Sequence, residues 1–241
     1  MGKETRRGDV PGRGYLLALT LLLSGCASRP MTARLMPPLL PAAAPPLIVI
    51  DSFDVSSLAE RWHAVGVKGR TTYDVTELDG RRCLRASSRA GASILLTELH
   101  ADPQTYPWLS WDWRVDRLVE GEALARKDGS DAAARLYVYF ESSSLPWQKR
   151  NLDYVWSASL PVGTVMDSAY SRNSKIVVVE SGAASLGRWR TVARNLKDDY
   201  ERCFKEPLPA VIAVGVMSDT DNTGSEALAY FDELRLSRAK P

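Results

Sequence analysis

The chain has 241 residues, 45% hydrophobic and 25% charged, which is ordinary globular composition with room for one sizeable core. Its 31 Lys and Arg against 29 Asp and Glu leave a formal charge of +2, with no basic stripe and interleaved aromatics for electrostatic nucleic-acid binding. Only two histidines occur, and no Gly-x-Ser-x-Gly elbow, His-Glu-x-x-His helix, phosphate loop or dinucleotide glycine pattern, so acyl-transfer, zinc and nucleotide chemistry lack their usual patterns.

Residues 1–25 have the order of a secretory signal: Lys3, Arg6, Arg7 and Arg13, then the mostly apolar run from Tyr15 to Leu23. That run is shorter than the ~20 apolar residues a helix needs to span a bilayer core. Leu23-Ser24-Gly25-Cys26 resembles a bacterial lipobox, and the resemblance implies that Cys26 is lipidated and becomes the mature N-terminus. The alternative is an ordinary secretory signal with a chance cysteine. Several acyl chains on one cysteine, at ~0.8 kcal/mol per buried CH₂, would hold the protein firmly at a membrane. Ala27 rather than Asp follows the cysteine, and under enterobacteria-like sorting the resemblance implies passage to the outer membrane, facing the periplasm. Residues 26–47 carry Pro30, Pro37, Pro38, Pro41, Pro45 and Pro46 among many alanines and read as a semi-rigid tether. Residues 48–238 are the folded domain.

Within that domain period-2 alternation dominates. Strands are expected at Leu47–Phe53, Thr72–Glu77, Arg82–Ser87, Ser93–Leu99, residues 109–115, residues 135–141, Leu152–Ser159, Lys175–Glu180, Trp189–Ala193, Val211–Ser218 and Ala229–Ser237. One short helix is expected at Leu196–Phe204, with Asn195 as its cap and Asp198 and Asp199 in its first turn. Many strands broken by Gly, Pro, Asp and Asn predict an all-β fold, an antiparallel β-sandwich or jelly roll. Cys83 falls on the arginine side of its strand and Cys203 on the apolar face of the helix, which favours two separate thiols over a disulfide.

Leu109, Trp111, Trp113 and Val115 share one parity, so both indoles should lie in the core. The opposite parity carries Asp112 and Arg114, and on the 135–141 strand Arg135, Tyr137, Tyr139 and Glu141. If the two strands are neighbours, these side chains form one aromatic and charged surface suited to sugar rings, with Arg135 and Tyr137 as leading contacts and an anionic polysaccharide as the natural partner. The alternative is a solvated face with cross-strand pairs.

Asp219-Thr220-Asp221-Asn222-Thr223-Gly224 crowds two carboxylates into one loop. It looks like the first half of a calcium loop, but Tyr230 stands where the bidentate Glu would be, so a complete calcium loop is excluded. A Ca²⁺ site on Asp219 and Asp221 would need further oxygens, from Asp128 or Asp131. The competing reading is a turn in which Asp and Asn side chains bond backbone amides, Gly224 takes positive φ, and Arg135 or Arg114 neutralises the acids.

Three stretches, Leu109-Ser-Trp-Asp-Trp-Arg-Val115, Gly129-Ser-Asp-Ala-Ala-Ala-Arg-Leu-Tyr-Val-Tyr-Phe140 and Leu152-Asp-Tyr-Val-Trp156, resemble a bacterial family of unknown function, number three thousand and forty-seven among such domains. The match continues through Ala193–Tyr200, Met217–Gly224 and Ala229–Arg235. The resemblance implies a secreted or envelope protein with a β-sandwich similar to carbohydrate-binding modules, and it supplies no activity and no catalytic residues. Three functions stay open: a lipoprotein that binds glycan or supports polysaccharide or envelope assembly, a glycan-active hydrolase or lyase, and a scaffold that binds an envelope protein. For the hydrolase the carboxylates are Asp112, Asp131, Glu141, Asp153, Asp219 and Asp221; for the lyase, Tyr137, Arg135 and His100.

Overall fold

The computed structural model describes residues 46–54, 58–141 and 149–241; Cys26 and nearly all of the tether lie outside them. In chain order the elements are β1 (Leu47–Asp51), β2 (His63–Lys68), β3 (Thr71–Leu78), β4 (Arg81–Arg89), β5 (Ala92–Ala101), β6 (Trp108–Arg117), β7 (Ala134–Phe140), β8 (Asn151–Ser157), β9 (Val165–Asp167), β10 (Ser174–Ser181), β11 (Arg190–Asn195), α1 (Leu196–Phe204), β12 (Val211–Asp219) and β13 (Glu226–Ser237). Two sheets form. One runs β11-β6-β13-β4-β3, with β1 also paired to β13, and the other runs β2-β5-β12-β7-β8-β10-β9.

The expected sandwich is what forms, because each sheet buries one parity of its strands against the other sheet. Leu109, Trp111, Trp113 and Val115 of β6 are all fully buried, as are Leu136, Val138 and Phe140 of β7. The layers meet through aromatic rings: Trp111 lies 5.3 Å from Tyr154, and Trp113 lies 5.9 Å from Trp156. Both indoles therefore sit in the core, as the alternation predicts.

Three features differ from the sequence reading. First, β6 and β7 belong to different sheets, so their polar parities face outward on opposite sides of the sandwich and the single shared surface does not form. Second, β8 and β10 pair in parallel, one exception in an otherwise antiparallel sandwich. Third, β2 and β9 are strands that alternation does not announce. Every residue of β2 is exposed, so it carries no buried parity to detect, and β9 is only three residues long.

The helix forms at the expected residues. The Asn195 side chain accepts bonds from the backbone N–H of Lys197 and Asp198, at 3.0 and 3.2 Å, satisfying two donors of the first turn. Asp199 is held by Arg194 and by the Tyr154 hydroxyl at 3.0 Å, which ties the helix to the second sheet. Cys83 is buried, Cys203 is half-buried, and both are free thiols.

Candidate functional site

The second sheet gathers seven of the nine candidate residues. β7 carries Arg135, Tyr137 and Tyr139 on its outer parity, and its pairing with β12 places Met217 opposite Arg135, Gly215 opposite Tyr137, and Ala213 opposite Tyr139. The turn before β7 contributes Asp131, and the turn after β12 contributes Asp219, Asp221 and Asn222.

Arg135 is the hub of this region and is buried, contrary to its expected role as a surface contact. Its Nε donates to Asp219 at 2.9 Å, one terminal nitrogen donates to Asp153, and the other donates to the Ser130 carbonyl at 2.9 Å. The physical reason is charge balance: Asp153 of β8 lies across from Tyr137 and Asp219 lies at the end of β12, so two carboxylates converge on one guanidinium. Burial works to lower the Arg135 pKa, but Asp153 and Asp219 outweigh it and hold the group well above its ordinary value. Burial pushes the Asp219 carboxyl up to about 7, against the pull of Arg135 and the Ala132 N–H and with the repulsion of Asp131. Asp153 shifts upward too, again from burial.

Asp131 organises the acidic loop. Its carboxylate accepts the backbone N–H of Asn222 at 3.0 Å, and of Thr223 at 2.7 Å, together with the Thr223 hydroxyl at 2.8 Å. Gly224 closes the turn at φ 68°, and its N–H bonds the Thr220 carbonyl at 2.9 Å. Asn222 accepts a bond from the Tyr170 hydroxyl, and Asp221 lies 3.9 Å from the Lys68 ammonium. Among the described residues, Asp131, Asp219 and Asp221 are the one group able to hold a cation by proximity, with one oxygen from each within 4.8 Å of the others. Asp131 and Asp219 nevertheless already accept bonds from backbone amides, and Arg135 neutralises part of the charge. Of the two supplementary acids, Asp131 joins the loop, whereas Asp128 instead pairs with Arg126.

Above this buried network the outer face of the second sheet is apolar. Tyr137 and Tyr139 are half-buried, with ring centroids 5.9 Å apart and planes 24° from parallel. The Tyr137 hydroxyl reaches the Met217 sulfur at 3.8 Å. Beside Tyr139 lies a depression of about 270 Å³ lined by Val65, Ile94, Leu96, Ile212 and Ala213, with Lys149 at its edge. Gly215 lets two of its walls lie over β12: a β-carbon there would come within 2.8 Å of Ile94 Cγ2 and 3.2 Å of Leu96 Cδ1. Sequence reasoning missed Gly215, Ile94 and Leu96, since their meeting depends on which strands flank β12.

Asp112 and Arg114 lie on the far side of the molecule. Asp112 takes bonds from Arg81 at 2.5 Å and from the Thr191 hydroxyl at 2.6 Å; Arg81 also bridges to Asp232, directly opposite Asp112 on β13. Arg114 pairs with Asp116 at 2.6 Å and Asp79 at 2.7 Å. His100 does not join Tyr137 and Arg135 as a lyase triad would require. It sits on β5, two strands from β7 and four residues beyond Leu96, or ~13 Å along the strand.

Residues 60–235 match a family model described as a protein of unknown function, DUF3047. The chain belongs to that family. No curated protein matches this DUF3047 chain. Among solved structures it is similar to the family 30 carbohydrate-binding module of a cellulosomal cellulase from Clostridium thermocellum, with 12% identity over 79% of this chain and 97% of that one, at a TM-score of 0.45. It is also similar to a family 29 carbohydrate-binding module, with 12% identity over 80% and 92% of the two chains and a TM-score of 0.37. A third similar structure is the xyloglucanase domain of the type three effector NopAA from Sinorhizobium fredii, in complex with cellobiose, with 8% identity over 76% and 95% and a TM-score of 0.41. At these scores the likeness is one of outline, and no ligand carries over to the DUF3047 chain.

Proposed function

We propose that this protein is an envelope lipoprotein, anchored through Cys26, that binds a glycan on the outer face of its second sheet. The observation that carries the reading is the pair of nearly parallel tyrosines, Tyr137 and Tyr139, on the middle of a broad sheet beside an apolar depression. Aromatic rings cover the apolar side of a pyranose, and the Tyr139 hydroxyl and the Lys149 ammonium can address sugar hydroxyls, while the Tyr137 hydroxyl is turned to Met217. The buried Arg135 network beneath fixes both strands that carry the surface, so the platform is rigid before any ligand arrives.

The ligand class shifts accordingly. A surface arginine would favour an anionic polysaccharide, but Arg135 is enclosed by Asp153 and Asp219. The face that remains suits an uncharged stretch of polysaccharide. A glycan array with wild type, Tyr137→Ala and Tyr139→Ala tests this. Tyr139→Ala should lose binding while melting like wild type; unchanged binding in both variants would remove the platform. Product analysis on any bound polymer separates binding from cleavage. For the anchor, mass spectrometry of the mature protein should find an acylated Cys26, and Cys26→Ser should yield an unlipidated form. An unmodified Cys26 would end that part of the reading.

A further inference from the structure

Along one edge of the sandwich, β2 borders the second sheet and β3 borders the first, and between them lies a groove of about 390 Å³. Its hollow originates in β2. In the row of inward positions that elsewhere holds Leu95, Val216 and Leu136, β2 supplies Ala64, and one step along it supplies Gly66. A methyl group at Gly66 would meet nothing within 4 Å, so the space is open to a side chain or a ligand. Leu58, Trp62 and Leu95 make one end apolar. The hydroxyls at the other end are already partnered: Tyr73 donates to the Ser93 carbonyl at 2.5 Å, and Thr71 donates to the Ser218 carbonyl at 2.6 Å. The walls therefore ask for an apolar occupant rather than a hydrogen-bonding one.

Charge sets its direction. Arg70 lines the groove at the turn between β2 and β3, exposed and with no ion pair among the described residues. Lys68, two residues away, is turned to Asp221, its ammonium 3.0 Å from the Asp221 carbonyl, which leaves Arg70 as the cation of the groove's lining. From Trp62 to Gly66 the strand advances ~13 Å, the reach of one extended alkyl chain lying along it. We infer that this groove binds a single alkyl chain with an anionic head, the tail against Leu58 and Trp62 and the head at Arg70. A guanidinium fork fits a carboxylate or a phosphate equally, so the source is a free long-chain carboxylate or a lysophospholipid.

The test uses the full-length protein with Cys26→Ser, which removes the lipidation expected there and any competition from the chain's own acyl groups. Calorimetric titrations compare laurate, a lauroyl lysophosphatidylglycerol and an uncharged dodecyl polyethylene glycol ether. One or both anionic probes should bind saturably at one site, and the one that binds names the source. Gly66→Leu should weaken that binding at least about tenfold without lowering the melting temperature. Arg70→Gln should weaken the anionic probes and leave the uncharged ether unchanged. Absence of saturable binding by both anionic probes overturns the inference, as does an unchanged affinity in Gly66→Leu. An ether that binds wild type as tightly as the anionic probes overturns the role of Arg70. Should Gly66→Leu melt below wild type, Arg70→Gln decides: unchanged anionic binding there ends the inference.

Discussion

Arg135 holds Asp153 and Asp219 at once in a buried site, so removing it strands two carboxylates away from water. Breaking such a pair costs ~3–5 kcal/mol, far more than a surface ion pair would. Arg135→Ala should therefore lose about that much stability in urea denaturation at pH 7, and recover part of it at pH 5 as the carboxyls protonate; a loss below ~1 kcal/mol would mean the charges find other partners. Asp219 makes a separate prediction. Its folded-state pKa of about 7 lies above the ~3.9 of an unfolded aspartate, so between those values the native state holds more protons. The stability this residue contributes is complete below the unfolded pKa and is lost as pH rises through about 7. Asp232, raised to about 6 by burial, acts in the same direction on the opposite face. In Asp219→Asn the fall of melting temperature between pH 4 and 7 should be shallower than in wild type, and an identical slope would refute the shift.

Among the elements β6 stands at the centre of the core, and Trp113 touches Trp111, Trp156 and Phe231. Trp113→Ala should cost ~3–5 kcal/mol, the range for large aromatic deletions in cores, measured by chemical denaturation. A variant that unfolds at the wild-type midpoint would move that indole out of the core. The burial of Trp113 could be foreseen because strict alternation over Leu109–Val115 assigns a parity, and parity is a local property. The same logic found β7, β12, β13 and the capped helix after Asn195. It failed for β2, whose Ala64, Val65 and Val67 are exposed at an edge and so obey no period. It also failed for the order of strands. Which strand lies beside β7 is decided by long-range pairing, and that pairing separates Asp112 and Arg114 from Tyr137 and Tyr139. Arg135 shows the limit most clearly. Its parity correctly puts it on the outer side of the sheet, yet Asp153 from β8 and Asp219 from the end of β12 close over it, and neither contact is written in β7. The acidic loop is more legible in part: Gly224 takes positive φ and Arg135 reaches Asp219, as the turn reading expects, whereas Asp131, named only as a further oxygen for a cation, is the carboxylate that accepts the loop's amides.

At the scale of the whole molecule, the sandwich is held without a cross-link between Cys83 and Cys203. Cys83 is sealed, its thiol pushed up to about 11 chiefly by burial. Dithiothreitol should leave the melting temperature unchanged, even in protein prepared under oxidising conditions; a lower midpoint in reductant would reveal a bridge. The first and last strands are neighbours. β1 pairs antiparallel with β13, Leu47 stands opposite Ser237, and the Arg238 N–H bonds the Pro46 carbonyl at 3.2 Å. The chain therefore enters and leaves the sandwich at one corner. Tension between those two points pulls across the strand pair rather than along it, opening hydrogen bonds singly as a zipper does, whereas sliding the strands past one another would break many together. The corner is thus a seam that opens bond by bond under such tension, and a cargo fused after Pro241 would load it first.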